Sequence, residues 1–287
     1  MTCEVMDEPP APVMVGPMNA PQKNVGEHIR EWRTRRRMSQ MDLALEAEIS
    51  TRHLSFLETG RAQPSREMVL HLSDQLEIPL RERNVILVAA GFAPVFPERS
   101  LDAPELAAAR RAVDVILKAH EPYPALVVDL RWNLVAANAA AMPLLDGVDP
   151  ELLAPQVNVM RASLHPKGLA PRIANLGEWH AHALERLRRQ AELTADPGLI
   201  ALIEEIRAYP KPPAPDRRPE DFGNVAVPFQ LMMGDTMLSM IGTTTVFGTP
   251  VDITLSELTL ETFFPADAQT AEILRMAHDA RQAAQAA

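Results

Sequence analysis

Apolar residues recur every three or four positions through residues 24–93, and this spacing predicts five short helices. The first of them has Val25, Ile29 and Trp32 on one side, and the fifth runs from Leu80 to Ala90. Three of the helices follow a serine whose hydroxyl can bond the free N–H groups at a helix start. These serines are Ser39, Ser50 and Ser65. The segment is therefore predicted to be an all-α domain.

The third predicted helix, from Thr51 to Thr59, has two chemically different sides. At about 100° per residue, Leu54 and Leu57 point towards a core. The opposite side carries short polar and basic groups, namely Thr51, Arg52, Ser55 and Thr59. This composition suits a helix that reads the edge of another molecule.

The hydrophobic period changes from about four to two after residue 120. Two strands are predicted, at Leu126–Asp129 and Asn133–Ala136, and a helix should begin at Asn138. Residues 150–208 have helical spacing, and a last helix should follow Ala268. Three strand-like runs lie between them, "VAVPFQLMM", "TMLSMIGTTTVFG" and "VDITLSELTLETFFP". Two strands, several helices and three further strands predict an α+β fold with a five-stranded antiparallel sheet.

Proline content and periodicity divide the chain into domains. Five prolines and no periodicity mark residues 1–22 as a disordered tail. A second proline-rich stretch, 209–223, is predicted to be a loop. The predicted order is the tail at 1–22, a helical domain at 23–93, a linker at 94–104, a mixed domain at 105–275, and a C-terminal helix or fraying tail at 276–287.

Composition narrows the class of protein. The chain of 287 residues is 47% hydrophobic and 23% charged, as in ordinary globular proteins. No apolar run reaches the roughly 18 residues of a membrane helix, so no membrane partner is expected. Cys3 is the one cysteine, which excludes a disulfide framework and a cysteine-based zinc cluster and fits a cytoplasmic protein. No metal site is expected.

The charge is unevenly distributed. The net charge is −10, yet residues 23–66 contain nine basic and six acidic side chains and carry +3. A basic segment in an otherwise acidic chain is typical of a protein in which only one part binds phosphate groups. A solvated arginine-rich face explains the charge pattern equally well.

The stretch "SQMDLALEAEISTRHLSFLETGRAQPSREMV" resembles the helix-turn-helix of the XRE family. The resemblance covers about Asn24 to Ala90. It rests on three features: Gln40 at the start of the second predicted helix, Leu43-Ala44 within that helix, and the pattern Leu-x-x-Leu-Glu-x-Gly, from Leu54 to Gly60, that closes the third. Glu48 stands where the turn commonly carries Gly, so a slightly altered turn is expected.

The resemblance implies double-stranded DNA as the partner, with helix 3 in the major groove. Base edges should be read by Thr51, Arg52 and Ser55. Phosphates should be bound by groups at helix ends, namely Gln40, Ser50, Thr59 and Arg61. A palindromic operator and a homodimer follow, because two recognition helices must lie one DNA turn apart.

Three further side chains of this domain have other expected roles. Phe56, at the border of the outward side, either contacts a thymine methyl or packs against the linker or a neighbouring domain. The family often pairs an arginine of helix 1 with the glutamate closing helix 3, which here are Arg33 and Glu58. We expect this pair to be structural.

The remainder of the chain resembles the MmyB-like regulators, through "EPYPALVVDLRWNLVAANAAA", "NVMRASLHPKGLAPRIANLGEW" and "TTTVFGTPVDITLSELTLETFFP". These regulators join an XRE helix-turn-helix to a PAS-like ligand-binding domain linked to fatty-acid-type ligands. The proline-rich segment 209–223 departs from the better-known members, which have a tryptophan-containing stretch there. The resemblance thus implies a one-component transcription regulator.

Several side chains of this second domain are ligand-binding candidates. The methionines at 232, 233, 237 and 240 are flexible and suit an alkyl chain, although each also suits an ordinary core. Arginine forks suit a carboxylate, and surface or capping roles are the alternative. The predicted ligand-binding residues are Asn158, Arg161, His165, Arg172, Trp132, Met233 and Met240.

Other functions are disfavoured by missing residues. A flavin-thiol photosensor needs a cysteine in this domain, and there is none. Haem needs a histidine on a pocket wall, but His180 and His182 diverge on a helix. The chain has no P-loop, GxGxxG, HExxH or GxSxG, so no enzyme and no obligatory cofactor are expected. Two alternatives remain for the C-terminal domain. Either it binds a fatty acid or similar apolar ligand, or it binds no ligand and only dimerises or docks a partner protein.

Overall fold

The computed structural model describes residues 23–210, 212, 227–247 and 251–286. The described chain forms two compact units. One comprises the residues through Glu77 together with Arg83–Pro94, and the other comprises Ile78–Glu82 and the chain from Val95 onwards. The predicted tail at 1–22 and most of the predicted loop at 209–223 lie outside the described residues.

Five helices make up the N-terminal region, as predicted. They are α1 (Val25–Arg35), α2 (Gln40–Glu46), α3 (Thr51–Glu58), α4 (Arg66–Gln75) and α5 (Leu80–Ala89). The three serine caps are present, each accepting a bond from the backbone N–H three residues on. The large side chains that point inward are almost fully buried, including Ile29, Leu43, Leu54, Leu57 and Leu72. Local apolar spacing and capping therefore account for this region.

The turn between α2 and α3 differs from the prediction. Glu48 adopts the left-handed conformation that favours glycine, with φ of +51°. The turn is closed by bonds from Glu48 N to Leu45 O (3.2 Å) and from Ile49 N to Ala44 O (2.9 Å). These two bonds cap the C-terminus of α2 and compensate for the strain of a Cβ in this conformation. The expectation of an altered turn was wrong.

Replacing Glu48 by glycine should raise the free energy of unfolding by about 1 kcal/mol, because glycine has no Cβ to strain the left-handed conformation. Glu48→Ala, which removes the same charge but keeps a Cβ, is the matched control. Urea unfolding of both variants measures the difference. Equal stability of the glycine and alanine variants would contradict a backbone origin.

The described residues of the second unit form seven α-helices, three short 3-10 helices and five strands. The α-helices are α6 (Ala107–Ala119), α7 (Pro150–Leu153), α8 (Val159–Leu164), α9 (Leu176–Thr194), α10 (Pro197–Arg207), α11 (Ile253–Glu257) and α12 (Ala268–Ala286). The 3-10 helices are Pro104–Leu106, Met142–Leu145 and Ala170–Arg172. The strands are β1 (Ala125–Val128), β2 (Leu134–Ala137), β3 (Phe229–Met233), β4 (Thr236–Val246) and β5 (Thr259–Pro265).

All five strands join one antiparallel sheet in the order β2-β1-β5-β4-β3. The predicted α+β fold class is therefore confirmed. β3 and β4 form a hairpin whose turn needs glycine, since Gly234 has φ of +61°. Within the hairpin β3 pairs with Thr236–Met240, and the rest of β4 pairs with β5.

Two predicted boundaries in this unit were wrong. No α-helix begins at Asn138, and a 3-10 helix begins only at Met142. The reason is Pro143, which lacks the N–H that a continuing helix would bond to residue 139. Asn138 is buried instead, and its amide bonds the backbone of Ala125, Leu117 and Tyr123.

The last strand-like run is also shorter than predicted. Asp252 accepts a bond from Thr254 N and caps α11, so the strand begins only at Thr259. The apolar spacing of the α11 residues fits either a strand or a helix, and the Asp252 cap favours the helix.

The sheet packs on both faces. On one face, Ala125, Val127 and Leu260 contact Val113 and Leu117 of α6. On the other, Val128 and Trp132 belong to a cluster with buried residues of α9 and α10. A neighbouring cluster on β3 and β4 contains Phe229, Leu231, Leu238 and Met240, against which Trp179 of α9 packs. This second face is where helix α9 crosses the sheet.

Candidate nucleic-acid interface and ligand-binding region

The two sides of α3 are separated as the sequence indicated. Leu54, Leu57 and Glu58 are buried, whereas Thr51 and Arg52 are exposed. Ser55, the third predicted base-reading group, is half-buried, and so is Phe56, for which a thymine contact was one of two expected roles. The exposed side of α3 thus presents a hydroxyl and a guanidinium group, both of which can bond base edges.

Phe56 lies between two arginines. The guanidinium carbon of Arg52 is 5.3 Å from the centre of the Phe56 ring, and that of Arg61 is 5.9 Å away. Both distances are within the range of cation–π attraction. Phe56 therefore keeps Arg52, a candidate for reading bases, and Arg61, a candidate for binding phosphate, on the same basic surface.

A buried ion pair joins α1 to α3. Arg33 donates bidentate bonds to Glu58, with Nε–Oε1 of 2.6 Å and Nη2–Oε2 of 2.9 Å. Hydrogen bonding to Glu58 raises the pKa of Arg33. Gln40 also donates to Glu58, at 2.8 Å. The Arg33–Glu58 pair that the resemblance implied is present, and Gln40 is part of it. This bond uses one N–H of the Gln40 side-chain amide. A phosphate contact by its other N–H stays a prediction.

Two further phosphate-binding candidates have structural partners. Ser50 accepts a bond from His53 N at 3.1 Å as the cap of α3. Thr59 donates its hydroxyl hydrogen to Ser55 O at 2.7 Å, so it must break this bond to donate to a phosphate. Arg61 is exposed just after the end of α3, where its guanidinium lies beside the Phe56 ring. Contacts of these three residues with DNA stay predictions.

Among the ligand-binding candidates, Arg161 and His165 come together around Tyr209. Arg161 forms a bidentate pair with Glu205, both bonds being 2.7 Å, and Tyr209 donates to Glu205 at 2.6 Å. The Arg161 guanidinium lowers the pKa of Glu205, and burial raises the pKa of Tyr209. The His165 ring packs edge-on against Tyr209 at 4.9 Å. The Arg161 fork is thus already occupied by a carboxylate of the chain itself.

The other polar candidates have different partners. Asn158 is buried, caps α8, and donates to Arg131 O at 2.7 Å. Arg172 donates to Leu144 O at 3.0 Å and lies 3.9 Å from the sulfur of Met233. Arg161 and His165 are thus linked through Glu205 and Tyr209, Asn158 joins them only by capping their helix, and Arg172 has separate contacts, so among the described residues the four polar candidates do not form one carboxylate anchor.

The apolar candidates are placed in the two clusters beside α9. Met240 is fully buried in the cluster on β3 and β4. Trp132 is buried with φ of +66°, and its indole N–H donates to Gln190 at 2.8 Å. Ligand contacts of either residue stay predictions.

One charged network was not foreseen from the sequence. Arg186 of α9 donates to Glu261 of β5 at 2.7 and 3.1 Å and to Thr244 of β4 at 2.8 Å. Its guanidinium also lies 4.7 Å from the Trp132 ring centre. The sequence did contain a signal for this network. Glu261 falls on the buried face of a strand, and Arg186 lies two helical turns after Trp179, on the same side of the helix.

Within the described ranges, no helix is long and apolar enough to span a membrane. The same residues include no group of three or more His, Cys, Asp or Glu side chains arranged to hold a metal ion.

Comparisons with known proteins assign both regions. A helix-turn-helix family model matches residues 29–83, and the model of the MmyB-like transcription regulator ligand binding domain matches residues 109–277. No curated protein matches. A solved structure described as "Structure of an RNA-binding Light-Oxygen-Voltage Receptor" is 13% identical with a TM-score of 0.25; the match covers 90% of this chain and 64% of that one. Because the ligand-binding family model covers more than half of the chain, the chain belongs to the MmyB-like transcription regulators, with an XRE-type helix-turn-helix.

Proposed function

We propose that the chain is a cytoplasmic one-component regulator that binds a palindromic operator as a homodimer and a fatty-acid-like ligand in a PAS-like C-terminal domain. The two family matches support DNA binding and ligand binding in general. The observation that carries the DNA-reading part is the exposed Arg52, held against Phe56 on the outward side of α3.

The geometry of α3 supports direct reading of bases. An exposed arginine at the start of a recognition helix suits a bidentate bond to guanine O6 and N7, and the neighbouring Thr51 suits either base type. Arg61 follows the end of the helix, where a phosphate contact fixes register without reading sequence. Packing against Phe56 restricts the rotamers of both arginines, so less entropy is lost when they bind.

The packing of the second unit supports an apolar ligand. The sheet face beneath α9 is rich in aromatic and methionine side chains, including Phe229, Met240 and the adjoining Trp179. Side chains of these types suit contact with an alkyl chain. A ligand regulates DNA binding only if it binds one arrangement of the dimer more tightly than another.

Arg52→Ala should weaken binding to the preferred operator by about 1–3 kcal/mol and relax the choice of base at one position in each half-site. Selection from randomised duplexes, followed by titration at several salt concentrations, measures both effects. Arg111→Ala, which removes an exposed arginine from the other unit, is the control for net charge. Selection of no preferred sequence, with purely salt-dependent binding by wild type and variant, would contradict the proposal.

The same titrations with added dodecanoate test the ligand part. A shift in operator affinity on addition of dodecanoate supports a sensor. An unchanged affinity, together with native mass spectra that show no bound lipid, would favour a C-terminal domain that only dimerises or docks a partner.

A further inference from the structure

Each of the five helices of the N-terminal region ends in the same backbone conformation. The residue after the C-cap has a left-handed φ, and its N–H bonds a carbonyl of the last helical turn. These residues are Arg37, Glu48, Gly60, Glu77 and Gly91. Because glycine occupies this position after α3 and α5, the conformation itself requires no side chain.

Arg37 is the basic residue of these five. It is exposed, and among the described residues its side chain has neither an ion pair nor a hydrogen bond. The neighbouring arginines are engaged, since Arg35 lies 3.8 Å from Glu31 and Arg36 donates to Leu76 O at 2.8 Å. The left-handed conformation strains a residue that has a Cβ. No bond of the Arg37 side chain within the described ranges compensates for this strain.

Arg37 lies near the end of α3 at which phosphate contacts are predicted. The Arg33 guanidinium donates to Met38 O at 2.8 Å and to Glu58 at 2.6 and 2.9 Å. It therefore joins the residue after Arg37 to the last residue of α3. Arg61 follows Glu58 by three residues. Arg37 and Arg61 thus flank the same end of α3.

The docking geometry of a helix-turn-helix relates this position to DNA. The second helix of the motif enters the major groove, and the first helix crosses the phosphate backbone. Here the first helix is α2, whose first residue, Gln40, donates to Glu58 at 2.8 Å. The chain that leads into α2, and with it Arg37, should run beside the backbone and not over the base edges. A guanidinium in this place can bind phosphate, which positions the protein without reading sequence.

We propose that Arg37 binds a phosphate of the DNA backbone and is a further contact of the nucleic-acid interface. The inference rests on the proposed DNA-binding function and adds a residue to it. Glu77 is the matched position, because it is exposed and left-handed too, with φ of +47° against +58° for Arg37, but is acidic.

Arg37→Gly should weaken DNA binding about five- to tenfold per bound copy of the chain at about 0.1 M salt. The loss should be the same for the selected operator and for unrelated duplexes, because a phosphate contact carries no sequence information. The slope of log K against log salt should fall by about 0.9 per copy, so the difference from wild type should shrink as the salt concentration rises. Fluorescence anisotropy of labelled duplexes at several salt concentrations measures these effects. Arg37→Lys, which keeps the charge, should retain most of the slope.

The same glycine variant should be more stable than wild type. Removing the strained Cβ should slow amide exchange of α1 about fivefold. Glu77→Gly, which gives the same backbone relief after α4, should slow exchange of α4 about as much and leave the salt slope of DNA binding unchanged. Weaker DNA binding by a more stable variant has no explanation in lost folding.

The outcomes separate this contact from the proposed function. Arg37→Gly with the affinity and salt slope of wild type would overturn the contact and leave operator binding intact. Weaker binding with an unchanged slope, faster amide exchange than wild type, or equal losses in the glycine and lysine variants would also overturn it. Wild type that selects no sequence, but whose salt-dependent binding is reduced by Arg37→Gly, would overturn the proposed operator function and support the phosphate contact.

Discussion

Replacing Glu58 by alanine should lower the free energy of unfolding of the DNA-binding unit by about 3–5 kcal/mol. The Glu58 side chain is 1% exposed and accepts bonds from Arg33 and Gln40. Without it, the Arg33 guanidinium, whose side chain is 12% exposed, keeps its charge in a desolvated site with no counter-charge. Such a loss approaches the whole stability of a small domain.

The chain has two units, so a single unfolding curve does not isolate this effect. Hydrogen exchange of the α1 and α3 amides measures it locally, and operator binding should be lost in parallel. Glu46→Ala, at an exposed position of α2, is the control and should change stability by less than about 0.5 kcal/mol. Exchange rates in Glu58→Ala equal to those of wild type would show that the pair contributes nothing.

A double variant distinguishes the loss of the hydrogen bonds to Glu58 from the cost of leaving Arg33 charged and unpaired. Replacing Arg33 and Glu58 together by methionine and leucine removes both charges and should recover much of the stability, because a buried ion pair is often no better than apolar residues of similar volume. A double variant as unstable as Glu58→Ala would indicate that the bond from Arg33 to Met38 O, at 2.8 Å, also matters.

The helical unit was predictable because its determinants are local. Apolar residues at helical spacing and a capping serine act within four residues of each other, and α1 to α4 begin where the caps place them. Glu48 was the exception. The sequence showed the missing glycine but not the two backbone bonds that hold the turn in the same conformation.

The ligand-binding region was harder to predict because its polar side chains are paired across long stretches of sequence. The Arg161 fork is occupied by Glu205, 44 residues away, and Arg186 is bonded to Glu261, 75 residues away. Residue type alone indicated that Arg161 suits a carboxylate, but not that Glu205 of the same chain supplies one. The contact of Arg186 with β4 and β5 depends on the pairing of these strands and on the path of α9, neither of which the spacing of residues reveals.

Glu261→Ala should destabilise the ligand-binding unit by about 3 kcal/mol, the lower end of the range for a broken buried pair. Glu261 is 5% exposed, whereas the Arg186 side chain is 27% exposed and keeps its contact with the Trp132 ring, so water relieves part of the penalty. Hydrogen exchange of β5 and α9 measures the loss. Glu185→Ala, which breaks only surface pairs of the same helix, should cost less than about 1 kcal/mol.

Glu261→Gln distinguishes the charge from the shape of this network. The amide keeps the side-chain volume and one acceptor for Arg186, so its cost should fall between those of wild type and Glu261→Ala. If both variants are as stable as wild type, Arg186 is satisfied by solvent, Thr244 and the Trp132 ring, and the network is not a structural requirement. If both lose stability, the network fixes α9 against β4 and β5.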